Sequence, residues 1–535
     1  MKKGFTLIEL LAVIIILAVI ALIATPVVLN VVEEAKIKAD RNSVYGLVDA
    51  AKLYYAESLL DVDKKAYTNG TTNVLDYLVI SGEGPESGKI FINDKGQSAI
   101  SVVYGKVCFT KNFNEYELSE NDDIENCELD IEETKVVYKD SVLNGTDPVI
   151  KENLIPVVLS NDGTVKKADI YSEWYNYTNK NWANAVVLKD KTITYEDNEE
   201  IPSSNIDAYF VWIPRYKYEI FNEGNYTDVI TVSTAPTESA AQEVKIVFES
   251  KDVTPSTGST VGSYLTHPAF TTLDVNGIWV AKFETSGTTS DIDVLPNVTS
   301  LRSINVKTMF EIAYNYDRNL DSHMMKNTEW GAVAYLSHSK YGINQEIRIN
   351  NNSQYVTGCA ATTPALNYFN KSQTDHSEGY YDGCENAYNT SIGYLASTTG
   401  NISGIYDISG GAWEYVASYM NGVYGSSGFD ATSIKNYDNK YFDIYASDST
   451  ITSYNKRILG DATGELGPFY KYKDSDGTNR YHNNWYFDHS HFIDSSYSWF
   501  IRGGEYYGGV LANSFHFGRC AGNAYVNGTF RLVLS

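Results

Sequence analysis

From Phe5 to Val32 the chain is apolar except at Thr6, Glu9, Thr25, Pro26 and Asn30. At about 1.5 Å per helical residue, such a run is long enough to cross a hydrocarbon core of about 30 Å. Lys2, Lys3 and Gly4 precede it, and one acid, Glu9, sits near its start. A secretory signal places its cleavage site after the apolar core, at small residues. Here the candidate cut, after Gly4, lies before the core, so the helix stays in the mature chain. A plain membrane anchor accounts for length and hydropathy but not for Glu9. A carboxylate inside hydrocarbon is costly and normally has a partner.

The helix does not stop where the apolar run stops. Charged residues Glu33, Glu34, Lys36, Lys38, Asp40 and Arg41 follow, and then Val44, Leu47, Val48, Ala51, Tyr54 and Tyr55 recur at helical spacing. That stripe predicts a helix reaching about residue 60, with one face against a globular head. Pro26 lacks a donor and crowds the preceding turn, so a kink or a melted turn is predicted there.

Lys3-Gly4-Phe5-Thr6-Leu7-Ile8-Glu9 resembles the leader of type IV prepilins and the related pseudopilins. The resemblance implies that a prepilin peptidase cuts after Gly4 and that Phe5 becomes a methylated N-terminus. It further implies that Glu9 neutralises the terminal amine of a neighbouring subunit as helices bundle. Pro26 falls 26 − 4 = 22 residues from the cut, where many pilins carry a proline. The implied partners are the peptidase, the membrane and other pilin or pseudopilin subunits. The implied location is a single-pass membrane prepilin, then the pilus or cell surface with the C-terminal domains outside.

The chain has 535 residues and a net charge of −25. The length suggests two or three domains. The charge, with no basic cluster, disfavours nucleic acid as a partner. Tyrosine, at 43 residues against 20 phenylalanines, fits half-buried strands and polar recognition loops and by itself names no ligand. Of the five cysteines, Cys108 and Cys127 bracket one short segment and Cys359 and Cys384 bracket another. Outside the cytoplasm such close pairs are disulfide candidates, which leaves Cys520 as a buried thiol.

Strand-like runs at Ile90–Ile92, Ile100–Tyr104 and Lys106–Phe109 predict an antiparallel sheet packed on the helix. Short runs at Ile155–Leu159 and Ala185–Leu188 read as a β-rich connector, with Trp174, Tyr175 and Trp182 as packing aromatics. Beyond it, three motifs follow in order. They are Gly277-Ile278-Trp279-Val280-Ala281-Lys282-Phe283-Glu284, then Gly410-Gly411-Ala412-Trp413-Glu414, and last Ile501-Arg502-Gly503-Gly504-Glu505 with the terminal Phe530-Arg531-Leu532. This region resembles the sulfatase-modifying-factor, or formylglycine-generating-enzyme, family, a relative of the C-type lectin fold. The expected class is therefore α+β. Residues 1–4 form a leader, 5–62 a transmembrane and assembly helix, and 63–140 a pilin-like head. Residues 141–207 form the connector, and 208–535 a loop-rich, lectin-like domain.

The chemistry departs from the resembled enzymes. They need a copper-binding cysteine pair after the Arg-Gly-Gly motif, because thiolates are soft ligands for Cu(I). Residues 506–513 contain no cysteine, and Glu505 stands where a serine is common. No catalytic residue is expected, since function follows the site and not the fold. Glu414 lies where family members help hold a structural Ca2+ with loop carbonyls. It is the candidate calcium ligand, although Gly411 replaces the family's asparagine. His482, Asp488, His489 and His491 are residue types that bind transition metals, and they are read here as an exposed loop. The expected function is a minor pilin-like surface subunit displaying a non-catalytic domain that binds carbohydrate or protein. The alternatives are a type II secretion pseudopilin with a cargo-sorting head, or an enzyme of formylglycine-generating type.

Overall fold

In a computed structural model of the chain, one helix, α1, runs from Leu7 to Ser58 over 52 residues, about 78 Å at the usual rise. The structure describes residues 6–143, 146–222, 230–232, 241–363, 381–447, 457–466, 470–473, 479–483 and 485–535. The helix is far longer than a bilayer needs, and its two halves behave differently. Every large apolar side chain from Leu7 to Val32 is exposed, whereas Val44, Leu47, Val48, Ala51 and Tyr54 are buried. The stripe read from spacing is thus the face that packs on the head. Tyr55, on its margin, is half-buried and donates its hydroxyl to the Asp94 carbonyl at 3.0 Å.

Four antiparallel strands make the head: β1 (Ser87–Ile92), β2 (Ser98–Tyr104), β3 (Val107–Lys111) and β4 (Ser119–Asn121), in that spatial order. Ile90, Ile92, Ile100, Val102, Tyr104, Val107 and Phe109 meet the helix stripe in one apolar core. Gly105, at a φ of 60°, makes the tight turn between β2 and β3 that lets Tyr104 face Val107. A left-handed turn residue suits the twist of a hairpin. On the other face Cys108 joins Cys127 in a disulfide beside Val103, fastening the acidic segment that closes the module.

The chain divides into two compact units, Met1–Val137 and Tyr138–Ser535. The first boundary falls close to the expected end of the head at residue 140. The expected connector over 141–207 is not a separate module. Strands β5 (Ile155–Leu159), β6 (Val165–Lys167) and β7 (Asn184–Leu188) join β8 (Ile206–Pro214) in a seven-stranded antiparallel sheet. The same sheet continues through Gly277–Ala281, the terminal strand Leu532–Leu534 and His323–Met324. Turn residues and short apolar runs announce the strands, but nothing local announces that β7 pairs with β8 or that the C-terminus closes the sheet. Tyr175 and Trp182 are fully buried in the resulting core and Trp174 nearly so.

A second sheet centres on Trp413–Met420. Trp499–Arg502 pairs with it antiparallel, while Asp443–Tyr445 and Gly528–Phe530 pair parallel. Among the described residues, Val306–Asn315 and Asn327–Ser337 are the longest helices of this unit. Smaller two- and three-stranded sheets accompany the two large ones, and Cys359–Cys384 is the second disulfide. Cys520 is a free, buried thiol. The whole is α+β, with a long N-terminal helix followed by several sheets.

Candidate functional site

The described part of the N-terminus starts at Thr6, so Gly4 and Phe5 lie outside the described residues. Thr6 caps α1. Its backbone N–H donates to Glu9 Oε2 at 2.8 Å, its hydroxyl donates to the same oxygen at 2.9 Å, and the Glu9 N–H returns to Thr6 Oγ1 at 3.4 Å. This reciprocal capping box satisfies amides that a helix start leaves open. It also fixes the Glu9 carboxylate at the helix N-terminus, where a negative charge suits the helix dipole. The acid is thereby aimed towards the first residues of the chain rather than along the apolar barrel.

Pro26 was expected to kink or melt the helix; α1 is helical on both sides of it, so no melted turn interrupts it there. Proline inside a soluble helix costs about 3 kcal/mol. In an apolar segment that cost is met locally by side-chain and backbone adjustments. The Thr25 hydroxyl donates to the Ala21 carbonyl at 2.6 Å, one turn back, beside the Leu22 carbonyl that Pro26 cannot reach. The predicted weak point is therefore a missing hydrogen bond in a continuous helix.

In the C-terminal unit the motif residues meet inside the fold. Glu414 is 1% exposed, and both of its oxygens face the guanidinium of Arg531, with Nε at 3.0 Å and Nη2 on the other oxygen. Arg531 spends its remaining donors on the carbonyls of Ala281 and Tyr406 at 2.9 and 3.0 Å. Glu414 was the candidate calcium ligand, but its charge is already matched. A cation there would have to break a buried ion pair, which costs several kcal/mol per uncompensated charge. Among the described residues no three His, Cys, Asp or Glu side chains are placed to hold a metal ion.

Two further acids adjoin this pair. Asp407 accepts from Asn350 Nδ2 at 2.8 Å and from the Gly358 N–H at 2.9 Å. Glu284 accepts from the Ala412 N–H at 2.9 Å and makes a short contact with the Ser300 hydroxyl. The Ser300 hydroxyl, 2.9 Å from the Tyr355 carbonyl, is the donor to Glu284. Burial, with Asp407 and Glu414 beside it, pushes the Glu284 carboxyl well above the usual range. The Arg531 guanidinium lies among these three acids and lowers the cost of their proximity. Sequence reasoning quoted Glu284 and Arg531 as motif members without assigning them this work. The available signal was a charged residue inside an apolar strand motif, where it must be buried and paired.

The Arg-Gly-Gly motif is likewise structural. Arg502 is fully buried and donates to Asn327 Oδ1 and the Asp461 carbonyl at 2.8 and 2.9 Å. Gly504 has a φ of 78°, and a Cβ there would meet the Ala512 Cβ at 2.5 Å, so no other residue fits. Cys520 is buried beside the Tyr415 hydroxyl, and burial pushes its thiol up to about 11, leaving it unreactive at neutral pH. The loop expected to expose His482, Asp488, His489 and His491 is more buried than predicted. Asp488 is fully buried and accepts from the Phe515 N–H at 3.0 Å, and His489 and His491 are half-buried. The His482 side chain lies outside the described residues.

The profile of the prokaryotic N-terminal methylation motif matches residues 1–25. No curated protein matches the chain. The matched segment contains Gly4, Phe5 and Glu9, and the apolar half of α1 is long and apolar enough to cross a membrane. Residues 1–25 thus carry the N-terminal methylation motif of the type IV pilin kind on a long apolar helix, a motif that implies processing by a prepilin peptidase and assembly with other pilin subunits.

Proposed function

We propose that this chain is a minor, pilin-like surface subunit that displays its C-terminal unit as a non-catalytic, lectin-like binding domain. The observation that carries this reading is the joining of an assembly helix to a unit as large as Tyr138–Ser535. A major subunit repeats at tight spacing along a filament, and a unit of that size would obstruct such packing. The C-terminal motifs support a kept scaffold without the oxidase chemistry. Glu414 and Arg531 are consumed in a buried ion pair and Arg502 and Lys282 in buried hydrogen bonds, and residues 506–513 contain no cysteine pair for copper.

The test is assembly in a cell with an active prepilin peptidase. Glu9→Ala should leave a processed, membrane-inserted, folded protein that no longer enters filaments. Incorporation of that variant at the wild-type level would defeat the assembly role of Glu9. Mass spectrometry of the mature protein should find methylated Phe5 at its N-terminus, and an intact Met1 would defeat the prepilin assignment. A secretion pseudopilin shares the N-terminal chemistry, so the distinguishing measurement is ligand binding by the displayed unit against export of a cargo. Copper-dependent oxidation of a cysteine peptide by the purified protein would establish the enzymatic alternative instead.

A further inference from the structure

Around the Arg502-Gly503-Gly504 turn, three separate segments bring tyrosines and a fourth brings Arg302 to one part of the C-terminal unit. Tyr506 stands edge-on to Tyr355 at 5.1 Å and to Tyr507 at 5.0 Å. The Arg302 guanidinium lies 3.9 Å from the centre of the Tyr355 ring and donates to the Val526 carbonyl. Backbone hydrogen bonds lock these loops together: Ser300 N–H to the Tyr355 carbonyl at 3.1 Å, Ser303 N–H to the Tyr525 carbonyl at 2.9 Å, and Tyr506 N–H to the Gly411 carbonyl at 2.9 Å. All four tyrosines and Arg302 are half-buried, and Val526 is 68% exposed. Rings fixed at the surface on a rigid scaffold are an unusual use of tyrosine if they serve only the core.

Tyr355 adds a second observation. Its φ is 59°, a conformation that is costly for a bulky residue and that persists where surrounding structure imposes it, typically at functional sites. Its carbonyl is held by the Ser300 N–H at 3.1 Å, with the Ser300 hydroxyl 2.9 Å away. The field at Tyr506 and Tyr507 is negative. The Tyr506 and Tyr507 phenols are pushed up, first by burial and then by the negative field of Glu505, to which Asp382 adds at Tyr506. The nearby cation, Arg302, is engaged with Tyr355 and Val526. The electron-rich faces of tyrosine attract cations, and the chain as a whole carries −25.

We infer that Arg302, Tyr355, Tyr506, Tyr507, Tyr525 and Val526 form a docking surface for a protein partner that presents lysine and arginine side chains. Tyrosine and arginine carry a disproportionate share of binding energy at protein interfaces. Tyrosine with glycine, asparagine and serine is the composition of antibody-like binding loops, because tyrosine gives large contact area at little entropic cost. Residues 503–527 contain three tyrosines among glycines and asparagines. The inference rests on the display reading above and names the class of partner.

The test uses the full chain in detergent micelles, probed with a randomised phage-displayed peptide library and, separately, a glycan array. Peptides rich in lysine and arginine should be enriched. Replacing Tyr506 and Tyr507 together by alanine should weaken them at least about tenfold, while Tyr171→Ala, at a 43%-exposed tyrosine away from these loops, should not. Tyr506→Phe with Tyr507→Phe keeps the rings and should retain most of the binding, separating lost contact from misfolding. Enrichment of peptides without basic residues, or glycan binding abolished by the same alanine pair, overturns the basic-protein assignment. Peptides that bind the alanine pair unchanged overturn the surface and leave the display reading standing. No binding by either probe to a protein that still enters filaments overturns both.

Discussion

The two units treat charge in opposite ways. Ion pairs of the N-terminal unit, such as Lys38–Glu34, Lys52–Asp49 and Arg41–Glu120, lie at the surface. Those that anchor the C-terminal unit are buried: Arg531–Glu414, Lys326–Glu329 and Arg215–Glu249. An exposed pair contributes at most about 1 kcal/mol, whereas breaking a buried one costs about 3–5 kcal/mol. The N-terminal unit is therefore held by an apolar stripe on a sheet and tolerates the loss of single charges. The C-terminal unit adds buried ion pairs to its apolar core, and the members of Arg531–Glu414 come from far apart in sequence, so losing one of these buried charges should cost it far more.

The sharpest way to break that contrast is Arg531→Met. It leaves Glu414 and Asp407 buried without a guanidinium, so the C-terminal unit should lose about 3–5 kcal/mol, a large share of a typical domain stability of about 5–15 kcal/mol. Calorimetry of the full chain should show that transition fall while the helix-and-head transition stays put. A shift of both, or of neither, removes the distinction. Replacing Cys108 and Cys127 by serine should do the reverse. It frees a 19-residue separation and should cost the head about 3 kcal/mol with the C-terminal unit unmoved.

Stability of the C-terminal unit should also depend on pH in a way the head's does not. Burial holds Glu465 and Glu346 up at about 7. Their folded forms keep a proton that the unfolded chain releases from about 4.5 upward, so they contribute stability that is lost as pH rises through 7. Burial holds His267 down at about 3, and His338 and His516 at about 4, from an ordinary 6.5. These remain neutral when folded, so their contribution is present above 6.5 and is lost as pH falls towards 4. The two sets oppose each other on the acid side. Above 6.5 the acids lower the melting temperature of this unit, while Lys282, whose ammonium burial holds well below the usual lysine range, raises it. Glu465→Gln takes one acid out of that balance, so its melting temperature should fall less than the wild type's between pH 6.5 and 8, and an equal fall would contradict neutral burial of Glu465.

The smallest effects sharpen the comparison. Glu284→Gln preserves the shape of an acid whose carboxyl is pushed well above the usual range by burial, and should change the melting point far less than Arg531→Met. Arg41→Ala removes the 2.6 Å pair with Glu120, whose side chains are 43% and 31% exposed, and should cost less than about 1 kcal/mol. A loss as large as that of the buried pair would mean that surface charge also holds the head.

Legibility in the sequence followed the same division. The stripe Val44, Leu47, Val48, Ala51 and Tyr54 repeats at the helical period, so its burial was readable without the structure. The strands at Ile90, Ile100 and Val107 and the Cys108–Cys127 pair are local in the same sense. The connector was misread because β7 finds its partner in β8 and its sheet is closed by Leu532–Leu534, pairings that no spacing rule reports. Glu414 was noticed for its motif and assigned a metal, since sequence cannot show that Arg531, 117 residues on, fills the same space.

By itself the sequence determined the N-terminal chemistry: a glycine, a phenylalanine and an acid set before an apolar helix, matched as a methylation motif. Those interactions lie within one or two turns, and covalent order alone places them. Only tertiary structure decided which acid of the C-terminal unit faces a guanidinium, which are pushed up by burial and which rings reach the surface. Each answer depends on a buried partner that the fold brings in from another strand, and in low dielectric that partner decides whether a charge persists.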